Sequence, residues 1–506
     1  MLFICNQQAG PPSADQVLRE LLEQIGQRPE TIQVPHGKYR LEESHTVPAN
    51  VTLVMQKGAI FELAAEAELQ IFGKVQAGIA PVFTGPGKVT GRIPSEGYVQ
   101  WFGVDMDDPN GQTLSFQKAV DCLETVLVPD MGKPYALSTL ILQRPVTLRG
   151  VGNNRVRINV LRDKQYLIQI RSNHIRLENL HFFYKADYQT EEAALYFDTS
   201  DRDLEDISLC NVHVESPAYA VLDAQTGIHC IRNVEFDQVH FNSNRNVGVF
   251  MTDFTEGIVL RDVCVGSFAY PIPSIGYIFR NIKDMYLENV DVLGGYAKWT
   301  VRGGHGMIFE DCENVRSYRI MVDYVNGKQW VMRRCKKMHF SNFVVSLLKE
   351  EGLYFEDVTD SVFDVIKSNG NFYDMVNDDP YDSVYLNRCR NLTFNALIIQ
   401  YNQRDGLILE DSFDNTFNNL VIMENARQSL LEKPGCDRNI FNGLVCNSNK
   451  KGGVEISGPS TVIHGYVSND GQQLPQVTGP YSDLARMELQ GEVKGVMDAT
   501  DFPWQT

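Results

Sequence analysis

The sequence predicts an all-β solenoid, and three observations predict it. A six-residue unit (apolar, any, apolar, any, Asn or Asp, small apolar) recurs between Val146 and Cys436. It reads Ile175-Arg176-Leu177-Glu178-Asn179-Leu180, and returns at Ile207 to Val212, Ile258 to Val263, Met285 to Val290, Met307 to Cys312, Leu353 to Val358 and Leu407 to Ser412. Looser copies start at Val146, Val234, Trp330, Val384 and Leu431. Successive copies begin 22 to 32 residues apart, the length of one strand-rich coil with room for inserted loops. Within each copy the apolar positions alternate, as a strand with one buried face requires.

The elements follow in order. Ser13-Ala14-Asp15-Gln16 has the form of a capping box, and Val17, Leu18, Leu21, Leu22 and Ile25 share one face of the helix it opens. Alternating segments follow at 31–35, 51–54, 59–63 and 69–75, with Gly85-Pro86-Gly87 as punctuation. Residues 1–100 therefore read as a capping helix with a short coiled unit, since an open solenoid end would pair with other chains. Residues 101–470 form the main solenoid, and 471–506, which lack periodicity, a C-terminal cover. In the repeat, positions one, three and six point inward. The fifth sits at a bend where Asn and Asp tolerate a left-handed backbone. Asn179, Asn211, Asp262, Asn289, Asp311, Asp357 and Asp411 are thus turn residues. Phe182, Phe236, Phe241, Phe309, Phe340, Phe355, Phe394 and Phe417 are internal stacks. Cys312, Cys335, Cys389 and Cys436 fall at position six as small core residues, with a Cys312–Cys335 bridge as the alternative. No C-x-x-C pair suggests zinc.

Trp101-Phe102-Gly103-Val104-Asp105, the Asp- and Gly-bearing loop after it, the helix with Phe116-Gln117, Ala119 and Asp121, and the strand Val126-Leu127-Val128-Pro129 resemble the opening of pectate-lyase-like right-handed parallel β-helix proteins. Phage tailspike depolymerases and bacterial polysaccharide-active enzymes share that opening. The resemblance spans about residues 28–470. It implies a right-handed parallel β-helix, a polysaccharide or oligosaccharide substrate, and an extracellular or virion-associated protein. Similar tailspikes and fructan-cyclising enzymes form side-by-side trimers, which leaves a homotrimer open here.

Composition narrows the classes. Lys plus Arg number 46 and Asp plus Glu 64, a net charge of −18 that disfavours nucleic acid and anionic membranes as partners. No apolar run is long enough to span a bilayer. Met1-Leu2-Phe3-Ile4-Cys5 lacks a basic lead and breaks at Asn6-Gln7-Gln8, so it is not read as a signal peptide. No calcium loop, dinucleotide motif or nucleophile elbow is found, so neither metal nor cofactor is expected.

Chemistry is expected on a ribbon of charges that closes the later strand of each coil: Asp198, Asp223, Asp253, Arg280, Arg302, Asp323 and Lys349, with Asp378 beyond. Coils of parallel strands lie roughly 4.8 Å apart, so carboxylates one or two coils apart bracket the roughly 5–9.5 Å used in glycoside hydrolysis. Two of Asp198, Asp223, Asp253, Glu256 and Asp323 would then serve as acid and as base or nucleophile. Arg280, Arg302, His305, Lys349, Trp299 and Tyr270 would hold sugar. Aromatic-rich insertions at 184–205, 266–283 and 367–383 would wall the groove. Gly304-His305-Gly306 resembles the Gly-His-Gly of polygalacturonases, whose other motifs are not found, so their mechanism is not carried over. A glycoside hydrolase leads these expectations. A lyase or an intramolecular glycosyl (fructo)transferase, and a non-catalytic glycan-binding spike, are the alternatives.

Overall fold

The computed structural model describes residues 2–3, 13–161, 166–184, 193–242, 246–266, 275–294, 304–325, 327–348, 350–370, 382–449, 453–468, 477–478 and 487–490. The strand ladders among them are parallel, so each chain return to the same sheet is a crossover, the connection that is right-handed in nearly all parallel sheets. The protein is a right-handed parallel β-helix. It divides into two compact units, 1–198 with 204–215, and 199–203 with 216–506.

The first unit begins with the helix Ala14–Ile25. Ser13 caps it by accepting from the Gln16 amide at 3.2 Å, while the Gln16 side chain bonds to Glu20 instead of closing the capping box. Asp15 is buried and accepts from the Glu42 and Glu43 amides and from His45, which ties the helix to the strands beside it. Three short strands then make each coil. Glu30–Val34, Val51–Met55 and Lys74–Gln76 form one sheet. Gly37–Leu41, Ala59–Leu63 and Phe83–Thr84 form another, and His45–Val47, Glu68–Ile71 and Lys88–Gly91 the third. Every second side chain of Val51–Met55 and Ala59–Leu63 is buried, the pattern their alternation predicted. The helix Thr113–Cys122 buries Phe116, Ala119 and Val120 ahead of the strand Leu123–Pro129.

In the second unit each coil has a short strand on one sheet and, on another, a bent stretch that is one long strand in most coils and two short strands, such as Thr416–Asn418 and Val421–Met423, in others. The short strands include Tyr219–Asp223, Val247–Met251, Ile275–Arg280, Met307–Glu310, Trp330–Arg333, Leu353–Glu356, Val384–Asn387, Leu407–Glu410 and Leu430–Glu432; they form the second sheet. The long strands, Phe254–Gly266, Ile282–Leu293, Glu313–Asp323, His339–Ser346, Thr359–Asn369 and Arg390–Gln400 among them, form the first sheet. Phe394, Phe417 and Phe441 stack on successive coils at 5.0 and 4.9 Å. All eight phenylalanines expected inside are fully buried.

The seven expected turn residues all have positive φ, from 45° at Asp411 to 55° at Asp311. Their side chains continue the coil-to-coil ladder: the Asn211 amide donates to Asn179 Oδ1 at 2.6 Å. An Ala at 211 would keep the left-handed backbone, which costs a residue with a Cβ about 1–2 kcal/mol, and would lose the ladder bond. Asn211→Ala is expected to destabilise by about 2 kcal/mol and Asn211→Gly by less, as read by urea unfolding. The four position-six cysteines are buried and free, so no Cys312–Cys335 bridge forms.

One sequence expectation is corrected. The hexads at 175, 207, 258 and 285 lie on the first sheet, whereas those at 307, 330, 353, 384 and 407 lie on the second. Met285 pairs with Val315, and Met307 pairs with Tyr277. Both stations of a coil need inward apolar residues at alternate positions and a polar residue at the bend. The same pattern therefore occurs twice per coil, and a 22-residue step carries the reading from one sheet to the other.

Candidate active site

That shift splits the expected ribbon. Arg280 closes a second-sheet strand, but Asp323 ends the first-sheet strand Glu313–Asp323, in register with Leu293 and Ser346, and accepts from the Ser346 hydroxyl at 2.6 Å. Glu256 is exposed on the first sheet, between Arg232 and Lys283. Asp198, in the first unit, is nearly buried and held by Gln169 at 2.6 Å and Arg171 at 3.2 Å. Tyr270, Trp299, Arg302, Lys349 and Asp378 lie outside the described residues, as do 185–192, 267–274 and 371–381 of the insertions assigned to groove walls.

Asp223 and Asp253 do come together, but inside the protein. Asp223 accepts from the Asp253 amide at 2.8 Å and from the Thr252 amide and hydroxyl. Asp253 accepts from the Gly227 amide at 2.7 Å and from the Thr199 hydroxyl. Both are fully buried. Burial first, and then the Asp253 charge, push Asp223 from 3.8 up to about 6, against the bonds it accepts from Asp253 and Thr252. A group raised on folding stabilises the fold below pH 3.8 and loses that contribution as pH rises through about 6. Asp223→Asn is therefore expected to gain stability relative to the parent between those pH values and to hold a constant advantage above them, on the order of 1–3 kcal/mol. Urea unfolding across the range reads this, and a difference flat with pH would contradict it.

The outer face of the second sheet carries a different set. In its strands Tyr277 and Phe279 point in, while Ile278 and Arg280 point out. The outward position at the strand ends runs Arg280, Glu310, Arg333, Glu356 in register. These form a continuous ion-pair ladder: Arg280–Glu310 at 2.6 Å, Arg333–Glu310 at 2.9 Å, Arg333–Glu356 at 3.5 Å and Arg388–Glu356 at 2.6 Å. Burial would raise Glu310, but the Arg333 and Arg280 guanidiniums outweigh it and hold the carboxyl below the usual glutamate range. One step inward along the strands, Tyr354 and Tyr385 stack at 5.7 Å and 11°. Lys328 Nζ lies 4.2 Å over the Tyr354 ring. Lys433 donates to the Tyr385 hydroxyl at 3.2 Å and pairs with Glu410 at 2.9 Å.

The heads of the same strands hold the chemically suggestive column. Two residues before Met307, Trp330, Leu353, Val384, Leu407 and Leu430 stand His305, Lys328, Glu351, Asp382, Asp405 and Gln428, and the ladders put them in line. Backbone is tight here: a Cβ on Gly406 would meet Ile422 Cγ2 at 2.5 Å and the Ser429 carbonyl at 2.6 Å. His305 Nδ1 accepts from the Lys328 amide at 3.0 Å, and burial with the Lys328 charge keeps the imidazole below its usual range. Lys328 Nζ is 2.6 Å from Glu351, an ion pair that engages the anionic carboxylate. Asp382 is nearly buried. It accepts from the Asp405 amide at 3.2 Å and faces Arg404 at 3.5 Å. Burial raises the Asp382 carboxyl, the Arg404 guanidinium and the Asp405 amide oppose that, and the Asp405 and Glu351 charges add to it, leaving it raised. Asp405 is 1% exposed, and its Oδ2 has no hydrogen-bond partner among the described residues.

Two carboxylates on neighbouring coils thus sit in opposed surroundings. The Asp382 carboxyl is raised by its burial, while Glu351 faces the Lys328 ammonium. Such a split is how one site supplies both an acid and an anion. Sequence reasoning missed both residues. The signal was present as a second motif, polar–Gly/Ser–apolar–any–apolar–Glu/Asn, at His305-Gly306, Glu351-Gly352, Asp382-Ser383 and Asp405-Gly406. His305 and Arg280 were named, and each belongs to this face.

Neither a family model nor a curated protein matches the sequence. Solved structures do. The A-module of mannuronan C-5 epimerase AlgE4 from Azotobacter vinelandii aligns at TM-score 0.46 and 13% identity, over 73% of this chain and 100% of that one. A hyperthermoactive exopolygalacturonase from Thermotoga maritima aligns at 0.39 and 10%, over 70% and 91%. The enzymatically active domain of bacteriophage CBA120 tailspike protein 2 aligns at 0.31 and 15%, over 81% and 53%. The fold assignment stands on this chain's own parallel ladders, and no residue role is carried across from these proteins.

Proposed function

We propose that the protein is a carbohydrate-active enzyme that lays a polysaccharide along the outer face of the second sheet and hydrolyses it with Glu351 and Asp382. The observation that carries this reading is the pair of acids that stand two residues ahead of the register partners Leu353 and Val384, one carboxyl raised by burial and the other ion-paired with Lys328. Asp382 would protonate the glycosidic oxygen as Glu351 attacks the anomeric carbon, releasing one sugar as an alcohol and leaving a glycosyl ester. Water, losing its proton to Asp382, would then cleave the ester and free Glu351. Adjacent coils lie roughly 4.8 Å apart, close to the roughly 5–5.5 Å of carboxylates that retain anomeric configuration. Tyr354 and Tyr385 supply apolar faces for sugar rings.

A second reading is favoured by the cations at Tyr354, where Lys328 lies 4.2 Å and Arg333 5.7 Å from the ring. Positive charge beside a uronate carboxylate would favour β-elimination. Incubation with a panel of neutral and acidic polysaccharides, followed by product mass and linkage, separates the two. A saturated product of water addition supports hydrolysis, and an unsaturated product supports the lyase. Binding without any product supports a glycan-binding spike and overturns the catalytic assignment. Light scattering of the same sample tests the homotrimer that the sequence resemblance leaves open.

A further inference from the structure

In the first unit the strands Val156–Val160, Leu180–Phe183 and His213–Glu215 pair in parallel, with Arg157, His181 and His213 in one register and Phe183 beside Glu215. Strand alternation puts His213 and Glu215 on one outward face, with Val214 fully buried between them. The ladder sets His181 beside His213. Their rings stack at 4.4 Å and 10°. His181 Nε2 lies 3.2 Å from Glu215 Oε2, and the donor atoms of all three residues lie within 4.8 Å of one another.

We propose that His181, His213 and Glu215 bind a divalent first-row transition ion, for which zinc(II) is the probe. Two imidazoles and one carboxylate are a borderline donor set that suits zinc, cobalt, nickel or iron(II). Calcium and magnesium prefer oxygen alone. Zinc ligands stand about 2.0–2.2 Å from the metal, so donors already a few ångströms apart need only small rotamer adjustments to converge on it. Three ligands leave a coordination position open to solvent. Half-burial, with the Arg157 and Arg155 charges, pushes His181 down to about 4, so the imidazole is neutral with a lone pair to give. The two arginines are engaged beside the triangle. Arg157 lies 4.0 Å over the Phe183 ring, and Arg155 donates to Asn211. Their charge opposes a cation and limits the affinity.

The test is isothermal titration of the untagged full chain with zinc chloride, together with the visible spectrum of its cobalt(II) form. One ion per chain is expected, with loss in His181→Ala and His213→Ala and at least about tenfold weakening in Glu215→Gln. Far-ultraviolet circular dichroism of the metal-free variants should match the parent. Should a histidine variant misfold, X-ray absorption of zinc on the parent chain decides, and two imidazole scatterers are expected. Failure of the parent to bind zinc or cobalt, binding undiminished in a folded His181→Ala/His213→Ala variant, or a zinc shell without imidazole would each overturn the site.

Discussion

Asp382→Asn is expected to abolish polysaccharide cleavage, lowering kcat by about 10²- to 10⁴-fold while leaving substrate binding within a few-fold. The amide keeps the shape of the side chain and its ability to accept from the Asp405 amide, but it has no proton to give. Glu351→Gln is expected to lose at least as much, because it removes the anion that would carry the sugar. Asp405→Asn separates positioning from chemistry. It removes a negative neighbour of Asp382 without touching the reacting atoms, so the Asp382 carboxyl falls toward its ordinary range and the alkaline limb of the pH profile, where the acid loses its proton, moves to lower pH. Steady-state rates of the three variants across pH, with folding checked by circular dichroism, measure all of this. Full activity in Asp382→Asn would end its assignment as the acid.

Trp330→Ala is expected to cost about 3–5 kcal/mol, the largest loss of stability from one side chain in the second unit. Trp330 is fully buried, stacks on Phe343 at 3.9 Å, and meets Phe340, Phe355 and Phe363 within 5.8 Å. Removing it empties the centre of an aromatic cluster that joins both sheets. Its indole N–H is buried with no hydrogen-bond partner among the described residues, a standing cost of about 1–3 kcal/mol. Trp330→Phe deletes that donor while keeping most of the ring, so it is expected to lose far less than the alanine. Coils of a solenoid stabilise mainly their neighbours. Hydrogen exchange should therefore rise first in Met307–Glu310, Trp330–Arg333 and Leu353–Glu356.

The fold was legible because a β-helix writes each coil locally. Asn179, Asn211 and Asp262 announce left-handed bends, and Phe394 and Phe417 announce stacks, without knowledge of what lies far away in the chain. The site was less legible for two physical reasons. Strand stations on both sheets obey the same inward-outward rule, so Asp323 reads like a partner of Arg280 although the ladders put them on different sheets. Burial is also invisible in a strand-end carboxylate. Asp223 and Asp253 have the same local sequence character as a wet acid, yet they are sealed by backbone amides and Thr199. Asp382 and Glu351 escaped because they stand just outside the hexad, in a position whose meaning comes only from the alignment of coils.

Peptide mapping by mass spectrometry, on protein quenched during turnover of a cleaved polysaccharide, identifies the carboxylate that carries the sugar. A glycosyl ester is expected on Glu351, accumulating when Asp382 is replaced by Asn and an activated substrate is supplied. A glycosyl adduct on any other carboxylate, or cleavage of the polysaccharide undiminished in Glu351→Gln, would contradict it.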